Sequence, residues 1–366
     1  MPPFIPHVDL RASNSLVEPA FFRELKTLYR KGVFSGGEYV ERFEKEFAEY
    51  LGVPHCLGVN SGTSALHLAL LALGIGPGDE VVVPAYTFAG SVWGVIYCGA
   101  RPVFADVNFD TGNLSAEAVE KVLTKKTRAI IAVHLFGQAA PLAALGEIAR
   151  KHRIPLIEDA AQAHGLLYEG RPAGTWGDIG CFSFYPTKNL GACGEAGAVV
   201  TSNRKWAQQI SLLRNHNAKK RFEHLGLGFN YRMDGIQGLF LSLKLKELDR
   251  LNHTRRFIAA GYLRSIGKGG LDPLCREAGK SVWHAFVCKV TNRKAFTAHL
   301  DAVGIGHAIY YPKILPEQTA FRAYSPDPKQ FPAAWELSRA TVSLPLYPGM
   351  RKETLTRIWE ALRDWR

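Results

Sequence analysis

The chain has 366 residues, of which 47% are hydrophobic and 21% charged, proportions typical of a globular protein with a sizeable core. Its net charge of +12 permits an anionic partner, but the basic residues are scattered and lack interleaved aromatic residues, so we do not expect nucleic-acid binding. No run of eighteen apolar residues occurs, which argues against a membrane span. The length suits one large and one smaller domain.

The cysteines indicate neither a disulfide framework nor a metal centre. The chain has 6 cysteines, none in a CxxC pair and none in zinc-like spacing with histidines. We therefore expect reduced thiols and no bound metal. The N-terminal residues lack a basic segment followed by an apolar core, so no secretory signal is expected and a cytoplasmic location is predicted.

Short apolar runs alternate with helical patterns between residues 51 and 202. Buried strands are predicted over 81–84, 102–105, 129–133 and 155–158, and amphipathic helices over 65–73, 91–98, 115–123 and 142–152. This alternation predicts an α/β fold with a mostly parallel sheet covered by helices on both faces. Two further strands, 179–184 and 198–202, are joined by too short a loop for a crossover helix, so we expect them to be antiparallel.

The pattern changes near residue 250. A long helix is predicted over 235–251, followed by strands over 282–290 and 306–311 and helices over 294–303 and 352–363. We therefore expect a large α/β domain over 1–250, whose first thirty or so residues form an arm. A smaller C-terminal α+β domain is expected over 251–366.

Three segments of the large domain carry candidate chemistry. The first, Asn60-Ser61-Gly62-Thr63-Ser64, lies between a predicted strand and a helix, where free backbone N–H groups and the helix dipole bind anions such as phosphate. Plain helix capping by Ser61 or Thr63 is the alternative. In the second segment, Asp159 follows an apolar strand, at the edge where ligands bind in open α/β sheets. It could pair with a protonated heterocyclic nitrogen, or it could cap the next helix.

The third segment centres on Lys188, which follows the apolar strand 179–184 and precedes a glycine-rich turn. A lysine held in such a cleft is partly desolvated, and desolvation lowers its pKa and makes the amine nucleophilic. A lysine of this kind can form a Schiff base, although most lysines are merely solvated. The occurrence of all three segments in one predicted α/β domain favours the catalytic interpretation.

The order of the motifs resembles that of the DegT/DnrJ/EryC1/StrS family of pyridoxal-phosphate-dependent sugar aminotransferases, which have the fold-type-I architecture. The similarity spans nearly the whole chain. The segments that carry it are Phe34-Ser35-Gly36, Ser61-Gly62-Thr63-Ser64, Pro84-Ala85-Tyr86-Thr87-Phe88, Glu158-Asp159-Ala160-Ala161-Gln162, Ser183–Lys188, Gly228–Met233 and Ser343–Pro348.

The resemblance implies pyridoxal 5'-phosphate (PLP) as cofactor, in Schiff-base linkage to Lys188, which would also move the proton during amino transfer. Asp159 would keep the pyridine nitrogen protonated. The remaining implied contacts are Phe88 stacking on the ring, Gln162 binding the ring hydroxyl, and Gly62, Thr63 and Ser183 holding the phosphate. Asn230 would reach the phosphate of a neighbouring subunit, which implies a homodimer with shared active sites.

The resemblance also implies a nucleotide-linked keto sugar as acceptor and L-glutamate as donor. The segment Lys188–Ala192 is similar to members that act on 3-keto rather than 4-keto sugars, so a 3-keto-6-deoxyhexose on dTDP or a similar nucleotide is expected. A diphosphate would suit the basic loop that includes Arg214. Candidate substrate contacts are Tyr185, His216, Lys219, Tyr310 and Tyr311, with ordinary packing or solvation as the alternative.

Some positions depart from the family pattern. Ala196 and Asn217 stand where glycine is frequent, and Lys313–Glu317 replaces a stretch ending in Pro-Leu-His, which leaves the acceptor open. The alternatives are a 4-keto nucleotide sugar, an aminocyclitol ketone, or a non-catalytic PLP-binding sensor. A related dehydratase would carry histidine in place of Lys188.

Overall fold

The computed structural model describes residues 3–266, 270–324 and 327–365. The α-helices in these ranges are α1 (Arg11–Ser15), α2 (Glu18–Lys31), α3 (Glu38–Leu51), α4 (Gly62–Ala72), α5 (Gly90–Tyr97), α6 (Ala116–Val122), α7 (Leu142–His152), α8 (Arg204–Leu213), α9 (Gly235–Leu245), α10 (Leu248–Ser265), α11 (Arg293–Ala302), α12 (Pro332–Ala340) and α13 (Lys352–Asp364). None of these helices combines the length and the hydropathy that a bilayer crossing requires.

The strands in the same ranges are β1 (His55–Val59), β2 (Glu80–Pro84), β3 (Arg101–Ala105), β4 (Thr127–Val133), β5 (Leu156–Asp159), β6 (Leu167–Tyr168), β7 (Arg171–Pro172), β8 (Ile179–Ser183), β9 (Gly197–Thr201), β10 (Ala218–Lys220), β11 (Glu223–His224), β12 (Leu271–Pro273), β13 (Phe286–Val290) and β14 (Thr341–Leu344).

A seven-stranded sheet forms the centre of the molecule, with the strand order β1-β9-β8-β5-β4-β2-β3. Neighbouring strands from β8 to β3 are parallel, whereas β9 is antiparallel to both β1 and β8. The predicted α/β class with a mostly parallel, mixed sheet is therefore confirmed. The predicted antiparallel pairing of 179–184 with 198–202 corresponds to β8 and β9.

The sheet is buried on both faces, which explains why its strands are almost continuously apolar. Val81 and Val83 of β2 pack in one cluster with side chains of α4, α5 and α8. Val82, which points the other way, packs in a second cluster with side chains of α6 and α7. Successive residues of one strand thus pack in two separate hydrophobic cores, one on each face of the sheet. The site described below lies at the carboxyl ends of the parallel strands.

The C-terminal part contains a three-stranded antiparallel sheet, β12-β13-β14. Side chains of α10, α11 and α13 pack with this sheet in a common core. The predicted domain boundary near residue 250 falls inside α10, so a continuous helix crosses it. The division into residues 1–250 and 251–366 stays a prediction.

Three predicted elements were wrong in detail. The single helix over 235–251 is two helices, because a turn closed by the Glu247 N–H donating to the Lys244 carbonyl (3.0 Å) separates α9 from α10. The strand over 282–290 begins only at Phe286, since Val282 pairs instead with the carbonyl of Gly137 (3.0 Å).

The third concerns residues 306–311, which form no strand. Within this segment Ala308 makes an isolated bridge to Ser343. Beyond that bridge the Tyr311 N–H donates to the Tyr86 hydroxyl (3.2 Å), which diverts the backbone away from the C-terminal sheet. Alternating apolar residues in the sequence could not reveal this side-chain contact.

Candidate active site

Asp159 is the last residue of β5, at the carboxyl edge of the central sheet, and its side chain is 5% exposed. Its Oδ2 accepts a hydrogen bond from the Ser91 hydroxyl (2.7 Å), and its Oδ1 accepts one from the Ala161 N–H (3.1 Å). A buried carboxylate is tolerated only when it is hydrogen-bonded in this way. Ser91 lies in the first turn of α5, and the sequence carried no signal for its role.

The neighbouring Glu158 anchors the end of β5 from the opposite face of the sheet. It is fully buried and accepts hydrogen bonds from His134 (2.9 Å) and from the N–H groups of Gly174 (2.7 Å) and Gly177 (2.6 Å). The Ala140 N–H donates to Nδ1 of His134 (3.1 Å), so the ring hydrogen lies on Nε2 and points at Glu158. This network fixes the backbone that carries Asp159.

Lys188 lies in the turn after β8, where its backbone N–H donates to the Tyr185 carbonyl (2.8 Å). Burial lowers the pKa of its amine to about 8, against an opposing effect of the Asp159 charge. Its Nζ makes no hydrogen bond to the described part of the chain. Near physiological pH, an amine with such a pKa has a much larger neutral fraction than a solvated lysine, and this neutral form is the nucleophile.

His164 lies behind Lys188 in the interior. Burial, and then the Lys188 charge, lower the pKa of His164 to about 3, so its ring is neutral. Neither ring nitrogen has a hydrogen-bond partner among the described residues. A neutral imidazole adds no positive charge beside the lysine.

The predicted phosphate segment forms the start of α4. Ser61 caps the helix, because its Oγ accepts a hydrogen bond from the Ser64 N–H (3.1 Å). Capping and anion binding are compatible, since the N–H groups of Gly62 and Thr63 have no partner in the described ranges. A Cβ on residue 62 would lie 2.6 Å from the Cβ of Ser183, so these two predicted phosphate contacts adjoin.

Aromatic and amide groups complete the site. Phe88 is 59% exposed, and its ring lies beside Gly90, where an added Cβ would be 2.9 Å from the ring and 3.1 Å from Oγ1 of Thr63. Its ring centroid is 6.3 Å from that of Tyr311. The Tyr311 hydroxyl accepts a hydrogen bond from Nε2 of Gln162 (3.3 Å), and burial raises the pKa of this phenol.

These contacts suit PLP. The cofactor has a phosphate for the free N–H groups at α4, an aromatic ring for the open face of Phe88, a ring nitrogen for a buried carboxylate, and an aldehyde for a buried amine of lowered pKa. When bound, it supplies an electron sink for the substrate carbon. The residues that would hold it are Gly62, Thr63, Phe88, Asp159, Gln162, Ser183 and Lys188.

Three other predicted residues lie outside this group of contacts. Asn230, His216 and Lys219 belong to the exposed segment around β10 and β11, in which Asn215 pairs with Asn230. Among the described residues, no hydrogen bond or ion pair joins any of the three to Lys188 or Asp159. The nearby Arg214 is engaged within the chain, with Glu44 and with the Gly58 carbonyl (2.7 Å).

Tyr185 and Tyr310 lie closer to Lys188 and to the predicted cofactor contacts. Tyr185 is 47% exposed and is three residues from Lys188. Tyr310 precedes Tyr311, and burial and then the nearby Tyr185 raise the pKa of its phenol. Both tyrosines are thus placed near each other and near the predicted cofactor contacts.

A mixed sheet with an amine, a buried acid and an anion-binding helix start at its carboxyl edge defines a fold-type-I PLP-dependent aminotransferase. The chain belongs to the DegT/DnrJ/EryC1/StrS aminotransferase family, whose model matches residues 17–363. Solved structures similar to this chain include PLP-bound and PMP-bound forms. The predicted family, enzyme class and cofactor are therefore confirmed.

Individual relatives match over nearly the full length. A dTDP-3-amino-3,4,6-trideoxy-alpha-D-glucose transaminase of Streptomyces venezuelae is 38% identical over 365 residues, covering 99% of this chain and 96% of the relative. A dTDP-3-amino-3,6-dideoxy-alpha-D-galactopyranose transaminase of Aneurinibacillus thermoaerophilus is 38% identical over 362 residues, covering 99% of both chains. The crystal structure of S. venezuelae DesV with a ketimine intermediate superposes with a TM-score of 0.96 at 37% identity, covering 99% and 98% of the two chains.

Proposed function

We propose that this enzyme transfers the amino group of L-glutamate to a 3-keto-6-deoxyhexose linked to dTDP or a similar nucleoside diphosphate. The observation that carries the proposal is that both transaminase relatives described above, which match along the whole chain, are named for 3-amino sugars on dTDP. The segment Lys188–Ala192 favours the same carbon.

The catalytic roles follow from the geometry around the two central residues. Lys188 Nζ, whose pKa burial lowers to about 8, accepts the proton from the substrate carbon in its neutral form and returns it. Asp159, held by Ser91 and the Ala161 N–H, keeps a proton on the ring nitrogen. Phe88 and Gln162 orient the ring, while Gly62, Thr63 and Ser183 bind the phosphate.

The second candidate function is amino transfer to a 4-keto nucleotide sugar or an aminocyclitol ketone, since Lys313–Glu317 departs from the family pattern in the expected acceptor region. Lys188 does not separate the enzyme from a non-catalytic PLP-binding sensor, because a sensor that holds PLP as a Schiff base also needs a lysine. Turnover of any keto sugar separates the enzyme from the sensor.

The experiment is a panel of keto-sugar nucleotides incubated with the enzyme and L-glutamate labelled with ¹⁵N at the amino group. We expect mass spectrometry to detect the label in the product of a dTDP-3-keto-6-deoxyhexose, and the K188A variant to form none. Label in the product of a 4-keto sugar or an inosose alone would contradict the proposed 3-keto acceptor. The absence of any labelled product would support the interpretation as a sensor.

We also propose a homodimer in which Asn230 binds the phosphate of the partner subunit. Asn230 is exposed, and large apolar side chains lie exposed on its own loop, namely Phe222 (83%) and Leu227 (81%). Phe34 is also exposed. It lies beside the start of α9, because the Gly235 N–H donates to its carbonyl (2.8 Å). Such a surface is typical of subunit contacts.

In this dimer His216 and Lys219, which share the exposed loop, would serve the diphosphate of the substrate, while Tyr185, Tyr310 and Tyr311 would face its sugar. The six cysteines are all free thiols, which supports a reducing, cytoplasmic location.

A further inference from the structure

Arg255 carries a buried charge that the surrounding protein leaves uncompensated. This residue of α10 is 6% exposed, and its Nη1 donates only to two backbone carbonyls, those of Trp283 (3.2 Å) and Leu346 (3.0 Å). Its Nε has no partner in the described part of the chain, and burial lowers the pKa of its guanidinium to about 10 with no acidic group opposing this. A buried cation normally has a counter-charge, because burying it alone is costly.

A narrow cavity lies beside Arg255. Its volume is about 30 Å³, and its polar lining consists of His7, Thr187, Arg255, His284 and Tyr310, while aliphatic side chains close the remainder. No acidic side chain is among the lining residues. Since one water needs about 10–15 Å³, the cavity has room for about two or three waters or a single monatomic ion.

The electrostatic environment of the cavity is positive. Burial lowers the pKa of His284 well below its usual value, and the charges of Lys188 and Arg255 act in the same direction. The Nδ1 of His284 has no partner among the described residues. His7, whose pKa is lowered to about 4 by burial and by His307, contacts the Ser343 hydroxyl through Nε2 (3.1 Å). The guanidinium attracts an anion and repels a cation, and a neutral imidazole can donate its N–H to an anion.

We propose that this cavity binds a chloride-sized monatomic anion that neutralises Arg255. The ion would join α10, the N-terminal arm through His7, and the segment before β13 through His284. Because Thr187 lines the cavity and immediately precedes Lys188, a bound anion would also stabilise the positively charged form of the catalytic amine. Halide binding would therefore couple the docking of the arm to the properties of the active site.

The test uses the holoenzyme in sodium chloride, sodium bromide or sodium gluconate at equal ionic strength. We expect the halides to raise the unfolding temperature of the wild type by about 2 °C or more relative to gluconate. The R256M control, which changes the adjacent arginine outside the cavity, should keep this halide effect, whereas R255M should lose it.

Because R255M also removes two contacts to carbonyls and could unfold, H7F provides a second variant. H7F removes one polar group from the cavity while leaving Arg255 in place. The halide concentration that gives half of the rise in unfolding temperature should therefore increase severalfold. Crystals soaked in bromide should show an anomalous peak beside Nε of Arg255. Equal unfolding temperatures in halide and gluconate, together with no bromide peak in the cavity, would overturn the proposal.

Discussion

The Ser91 hydroxyl donates to Oδ2 of Asp159 at 2.7 Å, in the interior at the carboxyl edge of the central sheet. Ser91 is itself 3.1 Å from the Thr87 hydroxyl, so a short chain of hydroxyls leads from the loop after β2 to the acid. The position of Asp159 is thus set by α5 as well as by its own strand. Substitution of Ser91 tests whether this matters for catalysis.

S91A should lower kcat by about tenfold or more. Hydrogen bonds to charged groups contribute about 1.5–3 kcal/mol, and the alanine leaves the carboxylate one donor short and free to rotate. Steady-state kinetics with L-glutamate measures the effect, and S211A, which alters an exposed serine of α8, is the control. An unchanged kcat in S91A would show that the Ala161 N–H alone suffices.

The contact between Gly62 and Ser183 predicts the effect of a single methyl group. In G62A the new Cβ would approach the Cβ of Ser183 to 2.6 Å, so the start of α4 must shift and PLP affinity should fall by about tenfold or more. Fluorescence titration of the apoenzyme with PLP measures this affinity. G146A adds the same methyl group to α7, where nothing lies within 4 Å, and should bind PLP normally. Equal affinities would remove Gly62 from the phosphate site.

The lowered pKa of Lys188 predicts how cofactor uptake depends on pH. Only the neutral amine is nucleophilic, and it predominates above its pKa of about 8 and is lost by protonation below it. The rate of covalent PLP uptake by the apoenzyme should therefore rise with pH through a midpoint near 8. Lys244 is also buried, with a pKa lowered to about 8, so K244M is the control and should retain the midpoint. A midpoint near 10.5 would mean that Lys188 behaves as a solvated lysine.

Mixed dimers test the proposed sharing of sites. If Asn230 serves the partner's site, a dimer of one K188A chain and one N230A chain contains one site with both residues and one with neither. Mixing the two impaired variants under subunit exchange should therefore restore activity, up to about a quarter of the wild-type value for random reassortment. No recovery despite verified exchange would place Asn230 in the site of its own chain.

The fold was predictable from sequence because buried parallel strands, such as Val81-Val82-Val83, are apolar throughout and are separated by amphipathic helices. Where side chains from distant segments decide the backbone path, prediction failed. Residues 306–311 have the composition of a strand, but the Tyr86 hydroxyl binds the backbone of Tyr311, and nothing local to the segment announces that contact.

The same distinction applies to the candidate site. Lys188 and Asp159 follow apolar strands, so elementary sheet topology places them at one edge. Ser91, His134 and Arg255 lie in other segments of the chain. Each acts through contacts with residues that are distant in the sequence, such as Asp159 for Ser91 and Glu158 for His134. The sequence around these residues carries no local signal of such contacts.

The central claim is that Lys188 is the residue that joins PLP covalently. Reduction of the holoenzyme with sodium borohydride, followed by proteolysis and mass spectrometry, should find the reduced pyridoxyl group on the peptide containing Lys188. It should be absent from that peptide in K188A, which we expect to bind PLP but not to transaminate. A pyridoxyl group on a different lysine of the wild-type enzyme, or on none, would contradict this account of the active site.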